Sequence, residues 1–274
     1  MITIVSGRRD HLINQHRGLA LSDTAPHCYV VVAIDEPHLA DWLDQSPPVA
    51  QIKHLNSPDA HLPLAAARNL GAKHAIDRGA DLLVFLDVDC VPSPSLLARY
   101  SEAAYLFPTA LLGGAVGYLP DNISPFSKNR DLLAHFHNFR PRPRAGETYL
   151  TDPNLFWSLS FALTTAMWKE IGGFHEAYRG YGGEDTDFAR TSEKSGNEFR
   201  MVGDAEAFHQ YHPSPSPPVH HLEDILRNGR IFAERWGTWP MIGWLEEFEK
   251  QGLVYHDDSS GDWLKIDPHP KDAT

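Results

Sequence analysis

The stretch Leu82-Leu83-Val84-Phe85-Leu86-Asp87-Val88-Asp89 decides how the rest of the chain is read. Five apolar residues run without a break into two carboxylates. A run that is apolar at every position suits a strand covered on both faces, as in a parallel sheet under helices. In open α/β sheets ligands sit outside the C-terminal ends of the strands, so Asp87 and Asp89 emerge where a site belongs. Continued extension would turn both side chains to the same side. Two hard oxygen donors on one side suit Mg²⁺ or Mn²⁺, with a diphosphate completing the shell. An isolated Asp-x-Asp is also a common solvated strand end, and the buried strand before it is what gives this one weight. Cys90, Val91 and Pro92 are expected to close the turn and start the next helix.

Working outward, Ile2 to Val5 and Tyr29 to Ile34 have the same compact, Val- and Ile-rich character. Between Ile34 and Leu82 lies a helical stretch, Leu64 to Arg78, which Gly79 should stop. Strand, helix, strand at this spacing predicts right-handed βαβ units and an α/β fold, with a Rossmann-like, mainly parallel sheet flanked by helices. The section from Pro120 to Pro153 is rich in proline and arginine and reads as an irregular excursion with one short helix, Arg130 to Asn138. A second structured block runs from Asn154 to His212. Pro213-Ser214-Pro215-Ser216-Pro217-Pro218 then forms a stiff break. Two helices follow, Val219 to Trp236 and Pro240 to Gln251, the second with Pro240 near its first turn and Gly252 past its end. Residues 256–274 read as a flexible acidic tail.

The length of 274 residues suits one large domain. The formal charge of −12 argues against a nucleic-acid partner, which calls for a basic face. It leaves room for a nucleotide, since a bound divalent cation supplies positive charge locally. Cys28 and Cys90 lack any CxxC spacing and fit a reduced, cytoplasmic location. The apolar start, Met1 to Val5, is too short for a signal-peptide core. No run approaches the roughly 18 apolar residues of a membrane span.

Four segments together resemble a known family. Ala66-Ala67-Arg68-Asn69-Leu70-Gly71, followed by Phe85-Leu86-Asp87-Val88-Asp89, resembles the nucleotide-binding half of family-2-like GT-A glycosyltransferases. Ile171-Gly172-Gly173-Phe174-His175-Glu176 and Gly180-Tyr181-Gly182-Gly183-Glu184-Asp185-Thr186-Asp187-Phe188 resemble their acceptor half. The last is similar to the C-terminal motif of β-1,4-galactosyltransferases and polypeptide N-acetylgalactosaminyltransferases. The resemblance covers residues 1–212 and implies a GT-A (nucleotide-diphospho-sugar transferase) fold over residues 1–255. Residues 1–115 would bind the nucleotide sugar, residues 154–212 the acceptor, and residues 213–255 would add C-terminal helices.

By that resemblance the protein is a metal-dependent, inverting glycosyltransferase with Mn²⁺ or Mg²⁺ as cofactor. It moves a sugar from an NDP-sugar, a UDP-sugar by the habit of the family, to a hydroxyl on a carbohydrate or glycoconjugate. Asp87 and Asp89 match the family's DxD, one on the cation and the other on the donor, with Val88 between them against the nucleotide. Asp35 matches the acid that reads base or ribose, and Arg68 the basic residue of the helix before the DxD. Asp185 matches the catalytic base, with Glu184 beside it holding sugar or acceptor. His209 matches a late metal ligand, and His212 is the neighbouring alternative. Two departures bear on the donor: the first strand ends in Ser6-Gly7-Arg8-Arg9 rather than Pro-x-Tyr-Asn, and Tyr181 stands where galactosyltransferases carry Trp. Ser6 and Arg8 are donor-side candidates on position, while plain solvated charge accounts for Arg8 and Arg9 equally well.

The physics supports such roles independently. A leaving diphosphate needs its charge neutralised, which a cation does as a Lewis acid. The acceptor hydroxyl needs a carboxylate base within hydrogen-bond reach. Gly183, after Gly182, allows a side-chain-free approach to the sugar before a helix starts at Glu184. The bland alternative for Asp185 and Asp187 is an acidic helix start complementing the dipole. Among weaker signals, the sixteen histidines show no HExxH. Trp157 and Tyr181 are candidate sugar-stacking faces, with a core role for Trp157 as the equal alternative, and Trp236, Trp239 and Trp244 read as core. Arg140, Arg142 and Arg144 are candidates for an acidic acceptor or a peripheral membrane contact. The rival readings are a nucleotidyltransferase, disfavoured by the lack of a Gly-rich basic loop after the first strand, and a nucleotide-sugar binder without turnover.

Overall fold

A computed structural model describes residues 1–213 and 215–266. Ile2–Val5 (β1), Tyr29–Ile34 (β2), Ala50–Leu55 (β3) and Leu82–Leu86 (β4) lie side by side in the order β3-β2-β1-β4, all parallel. Arg9–Ala20 (α1) and Leu64–Asp77 (α2) are the helices that follow β1 and β3. Cys90–Pro92 (β5), Leu96–Leu106 (α3), Ala110–Tyr118 (β6), Arg130–Leu133 (α4), His135–Phe136 (β7) and Thr148–Thr151 (β8) come next. Ser160–Thr164 (β9), Thr165–Ile171 (α5), Glu184–Lys194 (α6) and Glu198–His209 (β10) complete the second half. The sheet continues β4-β9-β6-β10-β5, with β9 antiparallel to both its neighbours and β10 parallel to β6.

The uninterrupted apolar runs are explained by what covers them. Val30, Val32, Leu83 and Phe85 belong to one buried cluster with residues of α2, α5 and α6. Val31, Ala33, Val84 and Leu86 belong to another, with residues of α1 and α3. Successive side chains thus feed opposite faces, and both faces are roofed. Phe85 stacks on Phe161 of β9 at 4.5 Å, and Phe174, from the Gly-Gly-Phe segment, stacks on Phe188 of α6 at 4.3 Å. Each such buried ring contributes about 1.5–3 kcal/mol, so the two halves share one aromatic core.

Four local expectations differ from what is observed. Cys90–Pro92 is a short strand antiparallel to β10, not a helix start. The helix expected over 130–138 stops at Leu133, and His135–Phe136 pairs with β6 instead. The last helix is Ile242–Lys250 (α8), entered through Met241 at φ 55, so Pro240 lies before it. Val219–His221 is a 3₁₀ turn leading into Leu222–Trp236 (α7). The acidic stretch after 255 is not a loose tail as far as it is described. Val254–Asp257 (β11) and Asp262–Lys265 (β12) form a hairpin. Val254 and Trp263 seal a third core with Leu222, Ile225, Leu245 and Phe248. Net polarity masked two anchors spaced to face inward. Residues 267–274 lie outside the described part.

Candidate active site

The C-terminal ends of β1, β2 and β4 deliver Ser6, Asp35 and Asp87 to one edge of the sheet. Asp35, exposed and at φ 56, accepts from the Ser57 backbone N–H at 2.9 Å, tying the end of β2 to that of β3. The Ser57 hydrogen bonds hold its carboxyl below the usual range. Arg8, also left-handed at φ 53, is exposed at the entry to α1, and the Gly7 N–H donates to Glu36 Oε1 at 2.6 Å. A cavity of about 170 Å³ opens here, lined by Ala33, Glu36, Pro37, His54 and Asn56. A larger one, about 440 Å³, lies between α7 and the β11–β12 hairpin.

Asp87 and Asp89 part company. The Cys90 N–H donates to Asp87 O at 2.9 Å, closing a turn where continued extension was expected. Asp87 Oδ1 takes Arg68 Nη2 at 3.3 Å, and Arg68 Nη1 reaches Glu184 Oε1 at 3.1 Å. Arg68 is buried beneath both, over the Phe174 ring. Burial pushes the Asp87 carboxyl up to about 6, with Arg68 opposing and Asp89 adding to the rise. Val88 sits half-buried at the turn between them.

Asp89 has different partners. His209 Nε2 and His212 Nε2 each stand 3.4 Å from Asp89 Oδ2. One ligand atom from each of the three can be chosen so that all lie within 4.8 Å of one another, the one such group among the described residues. The pairing of β5 with β10 places His209 opposite Cys90, and the Gln210 N–H donates to Asp89 O at 2.8 Å. Burial works against the charge on Asp89, but the two imidazoles outweigh it and hold the carboxyl well below the usual range. Burial likewise disfavours the His209 imidazolium, and Asp89 outweighs it, raising that pKa.

Helix α1 holds this tip in place through residues that carry no motif. Gln15 is fully buried; its Nε2 donates to Asp87 O at 2.7 Å and Cys90 O at 3.0 Å, while its Oε1 accepts from Thr3 Oγ1 at 2.7 Å. Asn14 Nδ2 donates to Gln210 Oε1 at 2.8 Å, and Gln210 Nε2 donates to His11 O at 3.1 Å. Tyr118 packs its ring 5.0 Å from His209. The one signal in sequence for Gln15 and Asn14 is a pair of amides on a helix following a strand, which is too common to single them out.

The three acids at the start of α6 have different fates. Glu184 is buried and paired with Arg68. Asp187, also buried, accepts at Oδ1 from Tyr178 Oη at 3.2 Å, Arg235 Nε at 2.6 Å and Trp236 Nε1 at 2.7 Å, pinning α6 to α7. Asp185 is partly exposed and accepts only from Thr186, at 2.7 Å from its backbone N–H and 3.4 Å from its hydroxyl, with no ion pair among the described residues. Desolvation, with Glu184 adding to it, pushes its carboxyl up to about 7. Gly183, at φ 91, makes the turn into the helix, and a Cβ there would sit 3.2 Å from the Tyr178 ring. A Cβ on Gly180 would fall 2.0 Å from Asp224 Oδ2, so that side of the loop is closed against α7.

The aromatic candidates divide as well. Tyr181 stacks on His221 at 4.6 Å and remains 39% exposed, leaving ring surface free at the loop. Trp157, half-buried, is met by Arg140 on one face at 4.9 Å and by His137 edge-on at 4.7 Å. Trp239 and Trp244 pack against the third core, and Trp236 serves Asp187.

The architecture is that of the GT-A-like fold. Residues 150–213 match the family described as N-terminal domain of galactosyltransferase. Validoxylamine A glucosyltransferase of Streptomyces hygroscopicus subsp. limoneus is 29% identical over 214 residues, 68% of this chain and 46% of that protein. The protein of the same name from subsp. jinggangensis is 30% identical over 161 residues, 50% of this chain and 36% of that protein. The chain thus spans less than half the length of the curated relatives it matches. Among solved structures, GalNAc-T7 with UDP, GalNAc and Mn²⁺ superposes with a TM-score of 0.61 at 17% identity, covering 94% of this chain and 52% of that one. S. aureus TarS 1-349 in complex with UDP-GlcNAc also gives 0.61, at 14% identity, covering 85% and 64%. Among the described residues no helix is long and apolar enough to cross a membrane.

Proposed function

We propose that the protein is a metal-dependent, inverting glycosyltransferase that moves a sugar from a UDP-sugar to a hydroxyl of a carbohydrate or glycoconjugate acceptor. The observation that carries this reading is the Asp89–His209–His212 group at the C-terminal edge of the sheet, a ready ligand set where donors bind in open α/β folds. Two imidazoles and one carboxylate suit a first-row ion such as Mn²⁺ better than Mg²⁺, which favours oxygen ligands. Bound there, the ion would neutralise charge on the leaving diphosphate. Relatives named as glucosyltransferases and a neighbour holding UDP, GalNAc and Mn²⁺ support the same reading.

The chain's own residues divide the remaining work. Asp185, lacking a cation of its own, is the acid at the α6 start free to take the acceptor hydroxyl proton. A pKa pushed up to about 7 makes it a stronger base than a solvated carboxylate and leaves it substantially ionised near neutral pH. Glu184 and Arg68 hold the loop against the β4 tip, with Asp87 beside them to meet the donor. Asp35, Ser6, Arg8, Val88 and Gly183 are the other donor-side positions of the reading, and the cavity beside Asp35 gives a base or ribose somewhere to sit.

Thermal denaturation with UDP, GDP, CMP and dTDP, each with and without Mn²⁺, tests the donor side. UDP should stabilise only with Mn²⁺, and the effect should vanish in Asp89→Ala; stabilisation by none of them would sink the reading. Asp185→Asn tests the chemistry, with turnover expected to fall at least about 100-fold while UDP affinity holds. A nucleotide-sugar binder would have no turnover to lose. Retained configuration at the anomeric carbon of the product would remove Asp185 from the base role.

A further inference from the structure

The three arginines of the proline-rich excursion have separate roles. Arg142 is committed: Nε and Nη2 grip Glu206 at 2.5 and 2.8 Å, and Nη2 also meets Asp131 at 3.3 Å. Arg144 is exposed. Arg140 is neither. Its residue is only 7% exposed, yet it makes no ion pair among the described residues. Its one side-chain hydrogen bond runs from Nη2 to Met201 Sδ at 3.8 Å, and Nε is buried without any partner. The guanidinium rests on the Trp157 ring, which is itself braced by His137. Buried charges in folded proteins are normally paired, so a cation shelved on an indole with unused donors marks a place for an anion from outside the chain. It cannot be solvated surface charge, and the protein's net charge of −12 makes the lack of an acidic partner a local feature rather than a shortage of acids.

Position indicates which anion. The Arg140 N–H donates to His137 O just past β7, whose His135 pairs with Tyr118, the ring that packs 5.0 Å from His209. Its Trp157 shelf lies two residues before Leu159, whose carbonyl accepts from the Asp87 N–H at 2.9 Å, so Arg140 sits next to the strand tip that carries the proposed donor site. The donor diphosphate has its own counter-charge at Asp89, His209 and His212. An acceptor bearing a phosphate or carboxylate would meet the guanidinium fork, whose geometry matches both anions.

We propose that Arg140, shelved on Trp157, is the binding site for an anionic group, phosphate or carboxylate, on the acceptor sugar. This rests on the glycosyltransferase reading, and it adds a substrate class that the motifs do not convey. Trp157 acts as the support that orients the cation.

The test is isothermal titration of the full chain with glucose, glucose 6-phosphate and glucuronate, each with and without UDP and Mn²⁺. Wild type, Arg140→Met and Arg140→Lys are compared. An anionic sugar should bind wild type about tenfold more tightly than glucose, the expected gain from a charge-assisted hydrogen bond. Arg140→Met should erase that preference while leaving glucose binding and Mn²⁺-dependent UDP binding intact, and Arg140→Lys should keep part of it. A preference for the phosphate alone or for the uronate alone identifies the anion, and either outcome supports the site. No preference in wild type, or a preference that survives in Arg140→Met, overturns it. Failure of wild type to bind UDP with Mn²⁺ would instead fell the glycosyltransferase reading, which the sugar titrations without nucleotide do not depend on.

Discussion

Asp87 and Asp89 leave the same strand tip two residues apart and enter opposite kinds of surroundings. Around Asp87 the carboxylates are closed on a cation of the chain itself: Arg68 sits between Asp87 and Glu184 and spends both terminal nitrogens on them. Around Asp89 the partners are two imidazoles, ligands that can turn to an ion. The first arrangement is a strut between the two halves of the domain, and the second is an open donor set. The lesson is that a DxD is not one device: the turn at Cys90 splits it, and its two acids keep different partners, a guanidinium for one and two imidazoles for the other.

Breaking the strut should produce the largest change in stability. Arg68→Met strands the buried Glu184 carboxylate and the half-buried Asp87 and should cost about 3 kcal/mol, read from chemical denaturation. Pairing it with Glu184→Gln should recover part of the loss. A cost below about 1 kcal/mol would mean that the strut is not what joins the halves. On the open side, Asp89→Ala should abolish the stabilisation by UDP and Mn²⁺, about 2.7 kcal/mol at a ligand concentration of 100 times Kd. Asp87→Ala should retain a Mn²⁺-dependent share, and equal loss in the two variants would erase the distinction drawn here.

Gln15→Leu attacks what both sides share, the backbone of the tip. Leaving the Asp87 and Cys90 carbonyls without their donor should cost about 1–3 kcal/mol and weaken Mn²⁺ binding together with it. A pH dependence is also expected. The Asp185 carboxyl is pushed up to about 7 in the folded chain from an ordinary value of 3.8. Between those values the folded state holds more proton than the unfolded one, so this group's contribution to stability falls as pH rises through the window. Asp185→Asn removes that dependence, and its melting temperature should gain on wild type from about pH 4 to about pH 8. A constant difference would show an unshifted carboxyl. In wild type, turnover should rise as pH passes about 7, because the base acts only when deprotonated.

Much of the scaffold can be read along the chain. β1, β2, β4 and α2 follow from apolar runs and a helical period within short windows, and Gly79 at φ 81 stops α2 as its position predicts. Cys90–Pro92 does not, since three residues carry no period and their strand exists only because β10 pairs with them. The β11–β12 hairpin was hidden by its acidic composition, although Val254 and Trp263 are its anchors. At the site, the types of the acids and histidines are plain from sequence, but their division of labour is not. Glu184, Asp185 and Asp187 are adjacent in one motif, yet one is paired, one is left free and one is tied to α7.

The sequence by itself determined the α/β alternation, the strand tip bearing two carboxylates, the glycine turn into an acidic helix and the residue types of the proposed metal site. These depend on neighbours a few positions apart, where period and turn preference act. Only the tertiary structure decided that Arg68 bridges to Glu184 across 116 residues, that both His209 and His212 meet Asp89, and that Arg140 is buried with no ion pair among the described residues. Coulombic and hydrogen-bond energies fall off over a few ångströms, and which distant groups come within that reach is settled by how the chain packs.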